Sequence, residues 1–568
     1  MQRPLQLATR RFSATPKYWP GNYASFMLQH IENGARASAS RPALIDGVSG
    51  RITTYRDLPY RIGAAARGFK ALGITRGTVV GLHLANSPEF IVAFNALAAL
   101  GAVVTTSNPA YSPTELTHQL RDSGASFVLT MEPLLPVVSA AAAGVGLPAS
   151  RVLVLGSPAV AFLFEDVAAA GALRGLPEVE AVDGPRTLLA LPYSSGTTGL
   201  PKGVELSHGN LTANLEQSHP GLGMASGDVA VGVLPLYHIY GITCIMGLPL
   251  RMGGTVVTLP KFDPVQFLTA VQKYRSNFLF IVPPIIAFLA KHPAVAGFDL
   301  SHVNHIFSGA APLDGDTQRA VEARFPHAAV RQGYGMTEAS PITHSETTAF
   351  RRPGSVGHAL VDTECRIVEA GSLDRVLPRG RAHVGELQLR GPQVMMGYHN
   401  NAKATADTVL PGGWLRTGDL VCADEDGVYY VVDRLKELIK CKGLQVAPAE
   451  LEGLLLGHPL LYDAAVVPKA DERAGEVPVA FVVTRAALLR GMGKAAEADA
   501  LPKVTAEQVQ AFVAGKVADY KRLAEVHFVD AIPKNPSGKS AWRGARPNTP
   551  PSAPLTHTHT QTRARHAL

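Results

Sequence analysis

The stretch Tyr193-Ser194-Ser195-Gly196-Thr197-Thr198-Gly199-Leu200-Pro201-Lys202-Gly203-Val204 constrains the fold more than any other part of the chain. It packs hydroxyls, glycines and one lysine between two apolar runs, Leu188 to Leu191 and Val204 to Leu206, and so reads as a loop between strands. Glycines let backbone N–H groups approach an anion closely and hydroxyls add donors. The lysine supplies charge that a purely structural turn would not need. A solvated Ser/Gly linker is the competing reading, and the apolar flanks speak against it. The loop suits phosphate, but its spacing fails the GxxxxGK[ST] pattern and so excludes the simplest kinase or GTPase.

The rest of the chain frames that loop. At 568 residues it exceeds what one hydrophobic core can serve, so at least two domains of unequal size are expected, with room for motion between them. Strand candidates Ala43 to Ile45 and Arg51 to Tyr55 flank a Gly47-Val48-Ser49-Gly50 turn. Leu58, Ile62, Ala65, Phe69 and Leu72 then repeat as one helical face, with Gly73 placed as a C-terminal cap. Thr78 to Leu84 reads as a buried strand. Ser87-Pro88-Glu89 offers an N-cap, a first-turn proline and a first-turn acid for a helix reaching Leu100, before strand returns at Val103 to Thr106. This βαβ rhythm implies a mostly parallel sheet, and it persists at Thr255 to Leu259 and Phe278 to Val282. From Asp433 to Lys442 the texture becomes charged, and a smaller unit follows with strands at Ala464 to Val467 and Val479 to Val483. Arg485 to Val504 reads as a surface insertion. The Pro/Thr/His/Arg-rich end after Trp542 is expected to be disordered.

Apolar residues at 46% and charged residues at 17% describe a globular chain that buries a core. The net charge of +7 is thinly spread, without the basic and aromatic blocks that track a nucleic acid. Cys244, Cys365, Cys422 and Cys441 show neither disulfide nor zinc spacing, which fits a reducing, intracellular compartment. The most apolar stretch, Phe90 to Val104, contains Asn95 and falls short of the ~20 residues a membrane span needs. No acidic residue precedes Glu32, and Arg10-Arg11-Phe12-Ser13-Ala14 looks like a mitochondrial processing site. A frayed basic tail explains residues 1–20 equally well, so cytoplasmic and peroxisomal locations stay open. The terminal His566-Ala567-Leu568 is not a Ser-Lys-Leu peroxisomal address.

From about Tyr55 to Lys539 the chain resembles the adenylate-forming superfamily of acyl-CoA synthetases, luciferases and peptide-synthetase adenylation domains, above all the 4-coumarate:CoA ligases. The motifs recur in family order: Pro235-Leu236-Tyr237-His238-Ile239-Tyr240, Ser308-Gly309-Ala310-Ala311-Pro312-Leu313 and Gln332-Gly333-Tyr334-Gly335-Met336-Thr337-Glu338. Gly413-Trp414-Leu415-Arg416-Thr417-Gly418-Asp419, Asp433-Arg434-Leu435-Lys436-Glu437-Leu438-Ile439-Lys440, Lys442-Gly443-Leu444-Gln445-Val446 and Pro536-Ser537-Gly538-Lys539 follow. The implied architecture is α/β. A large N-terminal AMP-binding domain, residues 21–434, combines parallel α/β subdomains with a small β-barrel, and a mobile α+β domain, residues 435–542, precedes a tail at 543–568.

The implied activity is ATP-dependent acyl-CoA synthesis through an acyl-adenylate, with ATP, Mg²⁺ and coenzyme A beside a carboxylic acid. By resemblance, Ser194, Ser195, Gly196, Thr197, Thr198, Gly199 and Lys202 hold phosphates, while Gly333, Tyr334, Gly335, Met336 and Thr337 hold the nucleotide. Glu338 is the Mg²⁺ ligand, and Asp419 with Arg434 takes the ribose. Lys539 matches the catalytic lysine that bridges carboxylate and α-phosphate, and His238 borders the acyl site and helps in the reaction. Tyr240, Cys244, Gly309, Gly335, Pro341 and Ile342 surround the acyl group. Lys436 matches the hinge, Lys440 and Gln445 approach nucleotide or thiol, and Lys442-Gly443 forms the CoA-side turn.

A hydroxycinnamate fits such a slot. Medium- or long-chain fatty acids, or a non-CoA acceptor, are the alternatives, and a nucleotide-binding protein without turnover is a third. One departure stands out. After Lys539 the family continues with an aliphatic and basic closing helix, whereas this chain reads Ser540-Ala541-Trp542-Arg543 and then turns Pro/Thr-rich. If that end is native, packing beneath Lys539 is expected to be weaker.

Overall fold

The alternation of apolar runs with helical periods becomes parallel strands covered by helices in a computed structural model, which describes residues 18–157, 176–194, 201–442 and 444–534. The chain folds as two compact units, one running through Lys436 and the other spanning Glu437–Pro533.

Two mostly parallel sheets organise the first unit. In one, Val79–His83 lies between Val103–Thr106 and Phe127–Met131, parallel to both. Parallel neighbours need a crossover, and the helix Pro88–Ala99 supplies it. Ser87 caps that helix by accepting the Phe90 N–H, and every helical residue but Glu89 is buried, against the helices Tyr23–Ala37 and Leu58–Ala71. Burying Phe90 or Phe94 in this way stabilises the fold by about 1.5–3 kcal/mol each. Asn95, polar in this apolar stretch, is accommodated by donating to the Ile91 carbonyl at 2.9 Å.

The other sheet runs parallel from Ala329–Gly335 through His305–Ser308, Phe278–Ile281, Val229–Gly232 and Thr255–Thr258 to Pro42–Asp46. Antiparallel strands border it, Ile342–Ser345 on one side and Ile52–Thr54 on the other. Asn86 ties the two sheets together. Its side chain donates to the Leu234 carbonyl and accepts the Leu236 N–H, both at 2.8 Å. A third, antiparallel sheet contains Glu364–Val368, Gly385–Arg390 and Trp414–Ala423, with Tyr429–Arg434 on Trp414–Ala423.

In the second unit the two expected strands are longer than their apolar centres suggest. Leu461–Asp471 and Gly475–Thr484 form one extended hairpin, because backbone pairing continues past the buried residues into an exposed tip. The expected surface insertion is helical, with helices Arg485–Gly491 and Ala495–Asp499 linked by an Arg490–Asp499 ion pair at 2.8 Å. The basic N-terminal segment to residue 17 and the tail after 534 lie outside the described residues. Among the described residues, no helix is long and apolar enough to cross a membrane.

Three buried imidazoles make the fold acid-sensitive. Burial lowers His83 and His208 from 6.5 to about 4 and His344 to about 3. A depressed imidazole pKa means the unfolded chain binds the proton first. The stability is therefore complete above 6.5 and is lost as pH falls from 6.5 towards 4, by up to about 1.4 kcal/mol per pH unit for each group. The urea midpoint is expected to be lower at pH 5.5 than at pH 7.5, and a midpoint unchanged between them would contradict it.

Candidate active site

The phosphate-type loop is set on a hairpin. Tyr193–Ser194 pairs antiparallel with the start of Lys202–Ser207, Ser194 opposite Lys202, and Gly397–Tyr398 pairs along the same strand. The Tyr193 hydroxyl anchors the hairpin by donating to Asp122 Oδ2 at 2.6 Å. A Cβ on Gly203 would stand 3.2 Å from the Tyr193 ring and from the His399 side chain, closer than ordinary contact. Ser195, Gly196, Thr197, Thr198 and Gly199 lie outside the described residues.

Beside Ser194, at the loop end of this hairpin, stands Glu338, buried in the short turn Thr337–Ala339. Its Oε1 accepts the Ser194 hydroxyl at 3.0 Å and the Tyr398 hydroxyl at 2.9 Å. Lys202 Nζ lies 4.9 Å from the centroid of the Tyr398 ring. Both donors to Glu338 are neutral, so its charge remains available to a cation. One carboxylate, completed by phosphate oxygens and water, is the donor set that Mg²⁺ takes in nucleotide sites. Among the described residues no group of three His, Cys, Asp or Glu side chains could hold a metal by itself.

Next to this cluster the strand Ala329–Gly335 turns back into Ile342–Ser345. A Cβ on Gly333 would press on the Phe307 ring, and one on Gly335 would overlap the Pro341 carbonyl. Both positions therefore require glycine. Gly335 pairs with Ile342, and the Met336 N–H donates to the Pro341 carbonyl at 3.0 Å. The Tyr334 hydroxyl donates to Asp419 Oδ2 at 2.6 Å, and burial with the neighbouring carboxylate holds that phenol well above its usual range. Asp419, buried on Trp414–Ala423, sits directly opposite Arg434, whose Nε donates to Oδ1 at 3.1 Å. Tyr334, Asp419 and Arg434 thus join the second and third sheets.

The residues expected around an acyl group fall in two adjoining sets. Tyr240 is buried, its ring edge-on to Phe280 and its hydroxyl 3.4 Å from the Phe307 carbonyl. Cys244, fully buried, lies on the π-helical segment Gly241–Gly247. The space beside Gly309 is taken by Tyr240, with the ring 3.1 Å from where a Cβ would stand. Thr243 connects these residues to the Pro341 and Ile342 turn by donating to the Ser340 carbonyl at 2.7 Å. His238 is half-buried, its Nδ1 accepting the Tyr240 N–H at 3.3 Å, and it lines a small pocket with Thr106, Tyr193, Tyr237 and Thr337.

In the second unit Lys440 and Gln445 face each other across the strands Ile439–Cys441 and Leu444–Val446, both exposed. Lys442 carries the positive φ of 52° that a tight hairpin turn demands. Lys436, exposed, ends the first unit. Gly443 and Lys539 lie outside the described residues.

Sequence reasoning missed Tyr398 and Asn214. Asn214 brackets Ile342, donating to its carbonyl at 2.7 Å and accepting its N–H at 3.1 Å. A signal was present: Asn210, Asn214 and Gln217 recur at helical spacing on an otherwise buried helix, His208–Leu222. Tyr398 has no such pattern, since it faces Lys202 and Glu338 only through tertiary pairing.

The model for "AMP-binding enzyme" matches residues 31–399, and that for "AMP-binding enzyme C-terminal domain" matches 450–539. The chain is 41% identical over 536 residues to 4-coumarate–CoA ligase 2 of Nicotiana tabacum, covering 93% of this chain and 95% of the relative. Among solved structures, ATP-bound MatB from Rhodopseudomonas palustris is 29% identical with a TM-score of 0.79, covering 91% of this chain and 97% of that one. The o-succinylbenzoate CoA synthetase of Bacillus subtilis, in complex with its acyl-adenylate intermediate, is 26% identical with a TM-score of 0.72, covering 90% and 96%. Matched through most of its length by these models and relatives, and carrying the motifs at the positions described above, the chain belongs to the AMP-binding enzyme family.

Proposed function

We propose that this protein is an ATP-dependent carboxylate:CoA ligase that converts a hydroxycinnamate or related aryl acid into its acyl-adenylate and then its CoA thioester, releasing pyrophosphate and AMP. One arrangement carries the reading. Ser194, Lys202 and Glu338 form a phosphate-type cluster on the same unit as the Tyr334, Asp419 and Arg434 group suited to a ribose. Together they present complementary groups to the two ends of one nucleotide. The relatives named as 4-coumarate–CoA ligases support the acid class.

In the first step the acid's carboxylate attacks the α-phosphorus of ATP, and pyrophosphate leaves. Ser194, Lys202 and the loop 195–199 bind the phosphates. Glu338 would hold Mg²⁺, which when bound would neutralise phosphate charge. Asp419 accepts the ribose hydroxyls and Tyr334 orders the nucleotide beside them. Lys539 offsets the repulsion between the two reacting anions. In the second step the CoA thiol attacks the acyl carbon and AMP leaves. Residues 435–542 act as the mobile unit about Lys436, supplying Lys440 and Gln445 towards nucleotide or thiol and Lys442-Gly443 towards CoA. His238, beside the Tyr240 wall, assists at the acyl group.

The test is a panel of aryl and fatty acids assayed for AMP release with and without CoA. CoA-dependent AMP and thioester, greatest with a hydroxycinnamate, is expected, and AMP release indifferent to CoA would defeat the ligase reading. Gly309→Ala probes the acid site. Its Cβ pushes on the Tyr240 ring, so the ratio of kcat/KM between hydroxycinnamate and a smaller benzoate is expected to change about tenfold. An unchanged ratio would place the acid elsewhere.

A further inference from the structure

We propose that Tyr398 is a positioning residue for adenylation, holding Lys202 on the face of its ring and Glu338 on its hydroxyl so that the two opposite charges stay apart and both meet MgATP. The inference rests on the assignment of Glu338 to Mg²⁺ made above, and it adds a residue that none of the sequence motifs contains.

Lys202 Nζ stands 4.9 Å from the ring centroid, within the range in which an ammonium is attracted to an aromatic face. The hydroxyl of the same ring donates to Glu338 Oε1 at 2.9 Å, beside the Ser194 donation to that oxygen. An ammonium and a carboxylate that border the same ring could otherwise pair directly, and nucleotide binding would first have to break the pair. The ring gives each charge a separate partner, weaker than phosphate or metal, and so presets the site at little cost on binding.

The backbone fixes the ring in this role. Tyr398 pairs with Val204 on the strand that begins at Lys202, and the Met395 N–H donates to the Glu338 carbonyl at 2.9 Å. The Tyr398 N–H donates to Thr405 Oγ1 at 2.8 Å. One short segment is therefore tied to both charged groups.

The experiment titrates full-length protein calorimetrically with a non-hydrolysable ATP analogue, with and without Mg²⁺, for wild type, Tyr398→Phe, Tyr398→Leu and Glu338→Gln. Tyr398→Phe is expected to cut the Mg²⁺-dependent gain in affinity about tenfold while leaving Mg²⁺-free affinity and the unliganded melting temperature close to wild type. Tyr398→Leu should also weaken Mg²⁺-free binding, because Lys202 loses its ring, and Phe restores that part. A wild-type Mg²⁺ gain in Tyr398→Phe overturns the positioning role if Glu338→Gln abolishes the gain. If Glu338→Gln retains the gain as well, the metal assignment fails and the positioning role falls with it. A lowered melting temperature in Tyr398→Phe with an unchanged Mg²⁺ gain reduces the residue to a structural one and overturns the proposal. Should the Leu variant fail to fold, the Phe variant alone decides.

Discussion

Lys539→Ala is expected to abolish adenylate formation while thioester formation from a supplied acyl-adenylate persists. The first half-reaction drives a carboxylate against an α-phosphate, and both are anions. A cation that bridges them acts mainly in the transition state, and removing one such stabiliser costs about 100- to 1000-fold in rate. The second half-reaction brings a thiol to an acyl-adenylate whose carboxylate charge has already gone, so it does not draw on the same lysine. Acid-dependent exchange of labelled pyrophosphate into ATP measures the first step, and thioester yield from synthetic acyl-adenylate measures the second. Equal loss of both would refute the division of labour.

Asp419→Ala should reduce kcat/KM for ATP by about 100-fold or more while leaving the KM for the acid nearly unchanged. The buried carboxylate accepts the Tyr334 hydroxyl on one oxygen and Arg434 on the other, so it is already oriented before nucleotide arrives. Vicinal ribose hydroxyls would add two charge-assisted hydrogen bonds, each worth about 1.5–3 kcal/mol. Asp419→Asn keeps the shape and loses the charge, and an intermediate loss is expected. Titration with AMP by fluorescence or calorimetry checks both variants. AMP affinity within twofold of wild type in Asp419→Ala would place the ribose elsewhere.

Legibility differed from one element to the next for identifiable reasons. The helix Pro88–Ala99 could be read in advance because Ser87, Pro88 and Glu89 are local instructions, and local capping does not depend on distant residues. Strands at Val79–His83 and Val103–Thr106 followed from continuous apolar runs between turn residues, the mark of strands buried on both faces. The hairpin Leu461–Asp471 with Gly475–Thr484 was underestimated because its outer residues pair through the backbone and carry no apolar signal. At the site, Glu338, Asp419 and Arg434 were marked by motif. Nothing in the motifs says that Tyr334 reaches Asp419 from another sheet, or that Tyr240 fills the space beside Gly309.

By itself, then, the order of residues determined the βαβ rhythm, the glycine-and-hydroxyl loop before Lys202 and the family motifs, since each is written over a few consecutive positions. Tertiary structure alone decided that Tyr398 and Asn214 join the site and which donor each carboxylate accepts. The pairs Tyr398 and Glu338, Tyr334 and Asp419, and Asn214 and Ile342 lie 60 or more residues apart along the chain. They meet only after strands from separate segments have paired, and that pairing is governed by the burial of the whole sheet.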